Sequence, residues 1–180
     1  MSTPAPDLSA DSTHSILEMP GQSALSGFRL ERLLAVLRQA DSQIAAVDAR
    51  FTYFLQLAST LSTDDRSRLN ALLLSGEPVQ EFAPGSIRVY TAPRPGTISP
   101  WSSKATEIIK ACHLDGVIRV ERGVSYALTF AGEGTAALDD AVCDRLFDRM
   151  TEFCFNEPSA ADVLFDIHEP APVNTISLGS

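Results

Sequence analysis

The chain has 180 residues, of which 44% are hydrophobic and 21% charged, a composition typical of one substantial globular domain. Its formal net charge of -9 argues against nucleic acid as a partner, because phosphate neutralisation requires many lysine and arginine residues. No apolar run is long enough to cross a bilayer, and residues 1–20 lack the pattern of a secretory signal. We therefore expect a cytoplasmic protein without a membrane partner.

The first half of the chain contains three recognisable patterns. Residues 1–22 are rich in Ser, Pro, Asp and Thr, and we expect them to form a disordered leader. Residues 24–30 are predicted to form a short strand that leads into a helix, and alternation in residues 47–57 predicts a half-buried strand. Ser62 and Asp65 have the spacing of N-cap and N3 residues, so a helix should begin there.

A strand at residues 86–91 is predicted to lead into a stiff loop that ends in a helix. Gly96 permits a turn in this loop, and Ser99 followed by Pro100 is typical of an N-cap with proline at the first helical position. The apolar face of the helix is predicted to carry Trp101, Ala105, Ile108 and Cys112.

The last part of the chain contains an interrupted strand pattern and two helical patterns. Residues 117–130 read as two strands broken at Gly123, which marks either a hairpin turn or a bulge. Residues 139–154 predict an amphipathic helix, and residues 159–162 the start of a shorter helix that prolines 170 and 172 would stop. The inward positions predicted for the longer helix are Val142, Leu146, Met150 and Phe153.

Irregularly spaced strands and helices predict an α+β fold with an antiparallel sheet and helices on one face. We expect ferredoxin-like sandwich units, two of which share a sheet or pack together. The predicted domain spans residues 23–157, and residues 158–180 are expected to begin a linker.

Two clusters of charged and hydroxyl side chains are candidate functional sites. A helix start rich in such groups can cradle an anion, or its residues can simply cap the helix while the arginine pairs with a surface acid. The residues concerned are Arg94, Ser99, Ser102, Ser103 and Lys104. The second cluster, Arg119, Glu121 and Arg122, reads either as a solvated ion-pair face or as a docking edge for another domain.

The cysteines and histidines do not form a pattern of metal ligands or of a catalytic pair. Cys112, Cys143 and Cys154 are odd in number and lack metal-type spacing, which favours reduced thiols and no metal site. Cys112 and His113 are adjacent, but neighbouring residues at a helix end point apart, so a nucleophile–base pair is not expected. We predict no catalytic residue in the chain.

Residues 93–106 closely resemble the N-terminal segment of the large-type phosphoribosylformylglycinamidine synthase family, also called formylglycinamide ribonucleotide amidotransferase. Residues 119–123, followed by Tyr126, match the next hallmark of that family. Shorter matching pieces lie at residues 24–29, 148–150 and 170–173.

The resemblance implies a glutamine-dependent ligase of de novo purine biosynthesis. The family converts formylglycinamide ribonucleotide, ATP and glutamine into formylglycinamidine ribonucleotide, ADP, phosphate and glutamate. Its synthetase domains, which bind ATP and Mg²⁺, and its glutaminase domain are expected beyond residue 180, as domains of the same chain. This segment would therefore bind no cofactor and be inactive alone.

By this resemblance the segment is an N-terminal assembly domain, similar to the small separate subunit that joins synthetase and glutaminase in other organisms. The alternative is a free-standing ferredoxin-like binding or regulatory module that holds a phosphorylated ligand at the Ser99 helix start. The candidates for contact with substrate or with a neighbouring domain are Arg94, Gly96, Ser99, Trp101, Ser102, Ser103, Lys104, Arg119, Glu121 and Arg122.

Overall fold

The computed structural model describes residues 14–74, 79–131 and 140–166. Their strands form one five-stranded sheet of order β1-β2-β4-β3-β5, in which every neighbouring pair is antiparallel. The strands are β1 (Ser15–Ser23), β2 (Ile44–Leu57), β3 (Ile87–Pro93), β4 (Val117–Phe130) and β5 (Glu152–Phe155). The helices are α1 (Gly27–Ala40), α2 (Thr63–Leu74), α3 (Pro100–Ala111), α4 (Asp140–Cys143) and a 3-10 helix (Pro158–Phe165).

This architecture confirms the predicted α+β class and is consistent with a ferredoxin-like sandwich. The long helices cover one face of the sheet, here called the helical face. Alternate residues of each strand point towards this face and pack against the helices. Two core clusters form there: Tyr53 and Val120 pack with α2 and α3, whereas Ala49 and Tyr126 pack with α1 and α4. The opposite face buries a third cluster against the 3-10 helix, comprising Phe54, Tyr90, Ala92, Phe155, Ala161, Leu164 and Phe165.

The capping prediction for α2 is confirmed in atomic detail. The backbone N–H of Asp65 donates to the Ser62 hydroxyl at 3.0 Å, and that hydroxyl donates to the Asp65 carboxylate at 2.8 Å. These bonds satisfy a backbone donor that the first turn of a helix would otherwise leave unpaired.

The predicted leader of residues 1–22 is wrong over its second part, because Ser15–Ser23 forms β1 at the edge of the sheet. Leu17 and Met19 pack into the core of the helical face, whereas Ile16 packs against the cluster on the opposite face. An edge position tolerates Pro20, whose missing N–H would break a central ladder. The part of the leader before His14 lies outside the described residues.

Two further boundaries also differ from the sequence prediction. Residues 24–30 do not form a strand, since α1 begins at Gly27. The segment from Pro158 does not begin a linker either, because the 3-10 helix buries Leu164 and Phe165 in the core. Residues 167–180 lie outside the described residues, and so do both prolines predicted to stop this helix.

Gly123 marks neither a hairpin turn nor a bulge, because β4 runs through it without a break and pairs it with Thr52. Its role is steric instead. A Cβ at this position would lie 2.4 Å from the backbone oxygen of Thr91, which is far inside van der Waals contact. Glycine therefore lets β3 approach β4 closely at the point where their pairing ends.

The long helix predicted over residues 139–154 is wrong. Helix α4 ends at Cys143, and the chain turns at Asp148, whose backbone oxygen accepts from the N–H groups of Thr151 and Glu152 before β5 begins. Two predicted inward residues, Val142 and Leu146, are indeed buried, but Met150 is 78% exposed. The helical spacing therefore predicted the burial of Val142 and Leu146 correctly, but it failed at Met150.

Candidate functional site

The loop between β3 and α3 is anchored at its base and exposed at its tip. The N–H of Arg94 donates to the backbone oxygen of Thr151 at 3.0 Å, and the Arg94 carbonyl accepts from the N–H of Thr97 at 3.2 Å. Gly96 has a φ of 78°, a left-handed conformation that glycine adopts without strain. Residues 94–98 are exposed, and Ile98 retains 60% of its surface in water.

The start of α3 confirms the predicted N-cap. The Ser99 hydroxyl accepts a hydrogen bond from the N–H of Ser102 at 3.0 Å, and Pro100 occupies the first helical position. Three residues of the predicted apolar face, Trp101, Ala105 and Cys112, pack against the core of the helical face. The prediction is wrong for Ile108, which is 46% exposed, whereas Ser102 and Ile109 are fully buried.

The carboxylate of Glu121 lies beside the start of α3 and is almost fully buried, with only 1% of its surface exposed. Its Oε1 accepts from the Ser99 hydroxyl at 2.6 Å and from the N–H of Arg122 at 3.0 Å, and its Oε2 accepts from the N–H of Ser99 at 3.4 Å. A carboxylate at a helix N-terminus is favoured by the positive end of the dipole. The chain therefore supplies its own anion at this position.

The other hydroxyls of the helix start bond to the protein rather than converge on open space. The Ser102 hydroxyl donates to the Val120 carbonyl at 2.6 Å, and the Ser103 hydroxyl donates to the Ser99 carbonyl at 3.4 Å. Lys104 pairs with Glu107 at 3.3 Å on the exposed side of the helix. This geometry favours the capping interpretation over an anion cradle.

Arg122 lies on the helical face in contact with two aromatic rings. Its guanidinium carbon is 4.5 Å from the centre of the Phe51 ring and 4.9 Å from that of Trp101. Trp101 also stacks on Tyr53, with ring centres 5.6 Å apart. Beside these rings lies a cleft of about 260 Å³, whose lining includes Phe51, Pro93, Ser99, Trp101, Arg122 and Glu152.

Arg119 points to the opposite face and packs against the 3-10 helix. Its guanidinium carbon lies 4.8 Å from the centre of the Phe165 ring, and Nη2 donates to the Leu164 carbonyl. Burial lowers the pKa of Arg119, while attraction to Glu121 partly opposes that shift. The buried Nε has no hydrogen-bond partner among the residues that the structure describes.

The interpretation of Arg119, Glu121 and Arg122 as a solvated ion-pair face is therefore wrong. Strand alternation sends the two arginines to opposite faces, and the intervening carboxylate is buried against Ser99. Their interpretation as a docking edge stays a prediction.

Sequence reasoning did not select Phe51 or Glu152 as site residues. Both belong to strands whose pairing with distant parts of the chain brings them to the Arg122 cleft. The sequence pattern placed Phe51 in a strand, but it gave no sign that Glu152 lines the same cleft.

Apart from His168, which lies outside the described residues, the cysteines and histidines are not in the loop and do not line the Arg122 cleft. His113 follows α3 with a φ of 57°, and Cys143 and Cys154 belong to the core near α1 and α4. Burial raises the pKa of the Cys154 thiol to about 12. Across residues 14–74, 79–131 and 140–166, no three His, Cys, Asp or Glu side chains are grouped so that they could hold a metal ion.

A model of a known protein family, described as formylglycinamide ribonucleotide amidotransferase N-terminal, matches residues 50–165. The match covers more than half of the 180 residues, from β2 to the end of the 3-10 helix, and it includes the loop and the Arg122 cleft. None of the helices in the described part of the chain is long and apolar enough to cross a membrane.

Proposed function

Since the chain belongs to the formylglycinamide ribonucleotide amidotransferase N-terminal family, we propose that it is the assembly domain of such an amidotransferase of purine biosynthesis. In this role it bridges the synthetase and glutaminase domains and helps to close the path that ammonia takes between them. The reacting groups, with ATP and Mg²⁺, belong to those neighbouring domains. The overall reaction is the ATP-dependent conversion of formylglycinamide ribonucleotide and glutamine to formylglycinamidine ribonucleotide and glutamate.

The observation that carries this proposal is the combination of a fixed backbone and exposed side chains in the loop of residues 94–98. Arg94 is held by Thr151 and Thr97 through backbone hydrogen bonds, while its side chain makes no hydrogen bond or ion pair to the described residues. Ile98 exposes an apolar surface on the same loop. A preorganised loop loses little conformational entropy on binding, which suits it to contact a neighbouring domain.

The surface around the loop extends this contact area. Met150 precedes Thr151, the residue bonded to Arg94, and it is among the most exposed large apolar side chains of the described residues. Exposed apolar side chains next to a cation that has no ion pair among the described residues are typical of a protein contact surface.

The alternative function, binding of a phosphorylated ligand at the Ser99 helix start, receives no support from the geometry. Glu121 already accepts from both the hydroxyl and the N–H of Ser99. A phosphate at that position would meet the buried carboxylate and be repelled by it.

The experiment that tests the proposal measures how many molecules of formylglycinamidine ribonucleotide form per glutamine hydrolysed, in the enzyme with all of its domains. We expect Arg94→Ala to lower this ratio several-fold, because a weakened domain contact lets ammonia escape. The free energy of unfolding should change by less than about 0.5 kcal/mol, since the side chain is exposed.

The matched control is Arg66→Ala, which removes an exposed arginine from α2, away from the loop. This variant should keep the product-to-glutamine ratio of the unmodified enzyme. Equal ratios in the two variants would contradict the proposed role of the loop.

A further inference from the structure

Arg122 is a partly buried cation that forms no ion pair within the described residues. Its guanidinium contacts the rings of Phe51 and Trp101, and it makes no hydrogen bond or ion pair to the described residues. The adjacent carboxylate of Glu121 is directed to Ser99 instead. Buried and half-buried charges in proteins are normally paired, so an unpaired one indicates a missing partner.

The two ring contacts also prepare the guanidinium for binding. Cation–π contacts use the flat faces of the groups, so they restrict the side chain and leave its N–H edge available. Arg122 lines the cleft of about 260 Å³, and so do Pro93 and Ser99, the residues on either side of the exposed loop. A fixed planar fork of N–H donors matches a carboxylate, which it can bind through two parallel hydrogen bonds.

Glu152 narrows the choice of ligand, because it lines the same cleft. Its Oε2 accepts from the N–H of Asp148 at 3.0 Å, which holds this carboxylate near its position. No ion pair joins Glu152 to Arg122 in the described part of the chain. A doubly charged phosphate would be repelled by Glu152 more strongly than a singly charged carboxylate would be.

We propose that the Arg122 cleft receives an Asp or Glu side chain of the catalytic domain that adjoins the loop, and that the guanidinium binds its carboxylate. This inference rests on the proposed assembly function and names the chemistry of the contact. The exposed loop places the neighbouring domain over the cleft, and the carboxylate supplies the counter-charge that Arg122 lacks.

The test uses Arg122→Lys in the protein with all of its domains, treated with a carbodiimide that joins an amine directly to a carboxylate in contact with it. The substitution keeps the positive charge and its contact with the rings, so the fold should be retained. We expect a cross-link from position 122 to an Asp or Glu outside residues 1–180. Its yield should exceed that of the control Arg66→Lys by about tenfold or more, because contact raises the effective concentration of the carboxylate.

Two results would overturn the inference. A cross-link from position 122 to Glu152 alone, or a yield equal to that of the Arg66→Lys control, would show that no outside carboxylate enters the cleft. A saturable change in Trp101 fluorescence on titrating the unmodified protein with inorganic phosphate, half-complete below about 1 mM and absent in Arg122→Gln, would assign the cleft to a free anion.

These outcomes are separate from failure of the proposed function. If the cross-link is missing while Arg94→Ala still uncouples glutamine hydrolysis from product formation, the assembly role stands and only the Arg122 contact is rejected. If the cross-link forms while coupling is unchanged in Arg94→Ala, the cleft contact stands without a role for the loop in ammonia transfer.

Discussion

Glu121 and Arg122 are neighbours in β4, yet the protein uses their charges in opposite ways. Glu121 is buried and accepts three hydrogen bonds, so its charge is satisfied within the domain. The guanidinium of Arg122 contacts two aromatic rings, and its own N–H groups have no acceptor among the described residues. The difference shows that charged residues adjacent in a strand do not form one charged surface, because successive side chains point to opposite faces of the sheet.

Replacing the satisfied charge should have the largest effect on stability. We expect Glu121→Ala to lower the free energy of unfolding by about 3 kcal/mol, because it leaves the half-buried hydroxyl and N–H of Ser99 without their acceptor. Chemical denaturation measures this change. The control Glu107→Ala, which removes a carboxylate paired on the surface with Lys104, should change stability by less than about 0.5 kcal/mol. Similar losses in the two variants would refute the structural role of Glu121.

The next largest effect should follow from filling the space beside this pair. We expect Gly123→Ala to destabilise the fold by about 2.5 kcal/mol, since its Cβ would meet the backbone oxygen of Thr91 and the strands would have to separate. The same denaturation experiment on Gly27→Ala provides the control, because a Cβ at Gly27 meets no atom within 4 Å. A neutral Gly123→Ala would show that the approach of β3 to β4 is not tight.

Trp101 connects the core of the helical face to Arg122, and its removal should have an intermediate effect. We expect Trp101→Ala to lower stability by about 2 kcal/mol, less than for a fully buried tryptophan because Trp101 is only partly buried. Trp101→Phe should recover most of this loss, because a smaller ring still contacts Tyr53 and Arg122. Equal losses for the two substitutions would argue against the ring contacts as the cause.

The unpaired charge should matter least to folding. We expect Arg122→Gln to change the free energy of unfolding by about 1 kcal/mol or less, because it removes two cation–π contacts and no hydrogen bond or ion pair that the guanidinium makes to the described residues. Thermal unfolding of Arg122→Gln and Glu121→Ala under the same conditions measures how much each residue stabilises the fold. A loss for Arg122→Gln as large as that for Glu121→Ala would place Arg122 among the residues that hold the fold together.

Local sequence patterns predicted the structure correctly where a few adjacent residues determine it. The caps at Ser62 and Ser99 were predicted because a hydroxyl at a fixed spacing satisfies the first backbone donors of a helix. The strand at residues 47–57 was predicted because its alternation is regular, and the structure only extends it to Ile44.

Features that depend on pairing between distant segments were not predictable in the same way. The polar composition of residues 1–22 hid β1, whose stability comes from pairing with β2 rather than from its own propensity. Helical spacing in residues 139–154 concealed β5 for the same reason, since Phe155 gains its burial by pairing with Tyr90. The Arg122 cleft combines Phe51 and Glu152 from separate strands with α3, so no single stretch of sequence contains it.

The central claim, that the loop of residues 94–98 faces a neighbouring domain, is tested most directly by hydroxyl-radical footprinting of the protein with all of its domains. Mass spectrometry would compare oxidation of Ile98 with that of Phe28, each corrected for its intrinsic reactivity; their exposed fractions in this domain are 60% and 67%. We predict that Ile98 is oxidised several-fold more slowly than Phe28, because a domain contact covers it. Oxidation of the two residues at equal corrected rates would contradict the account.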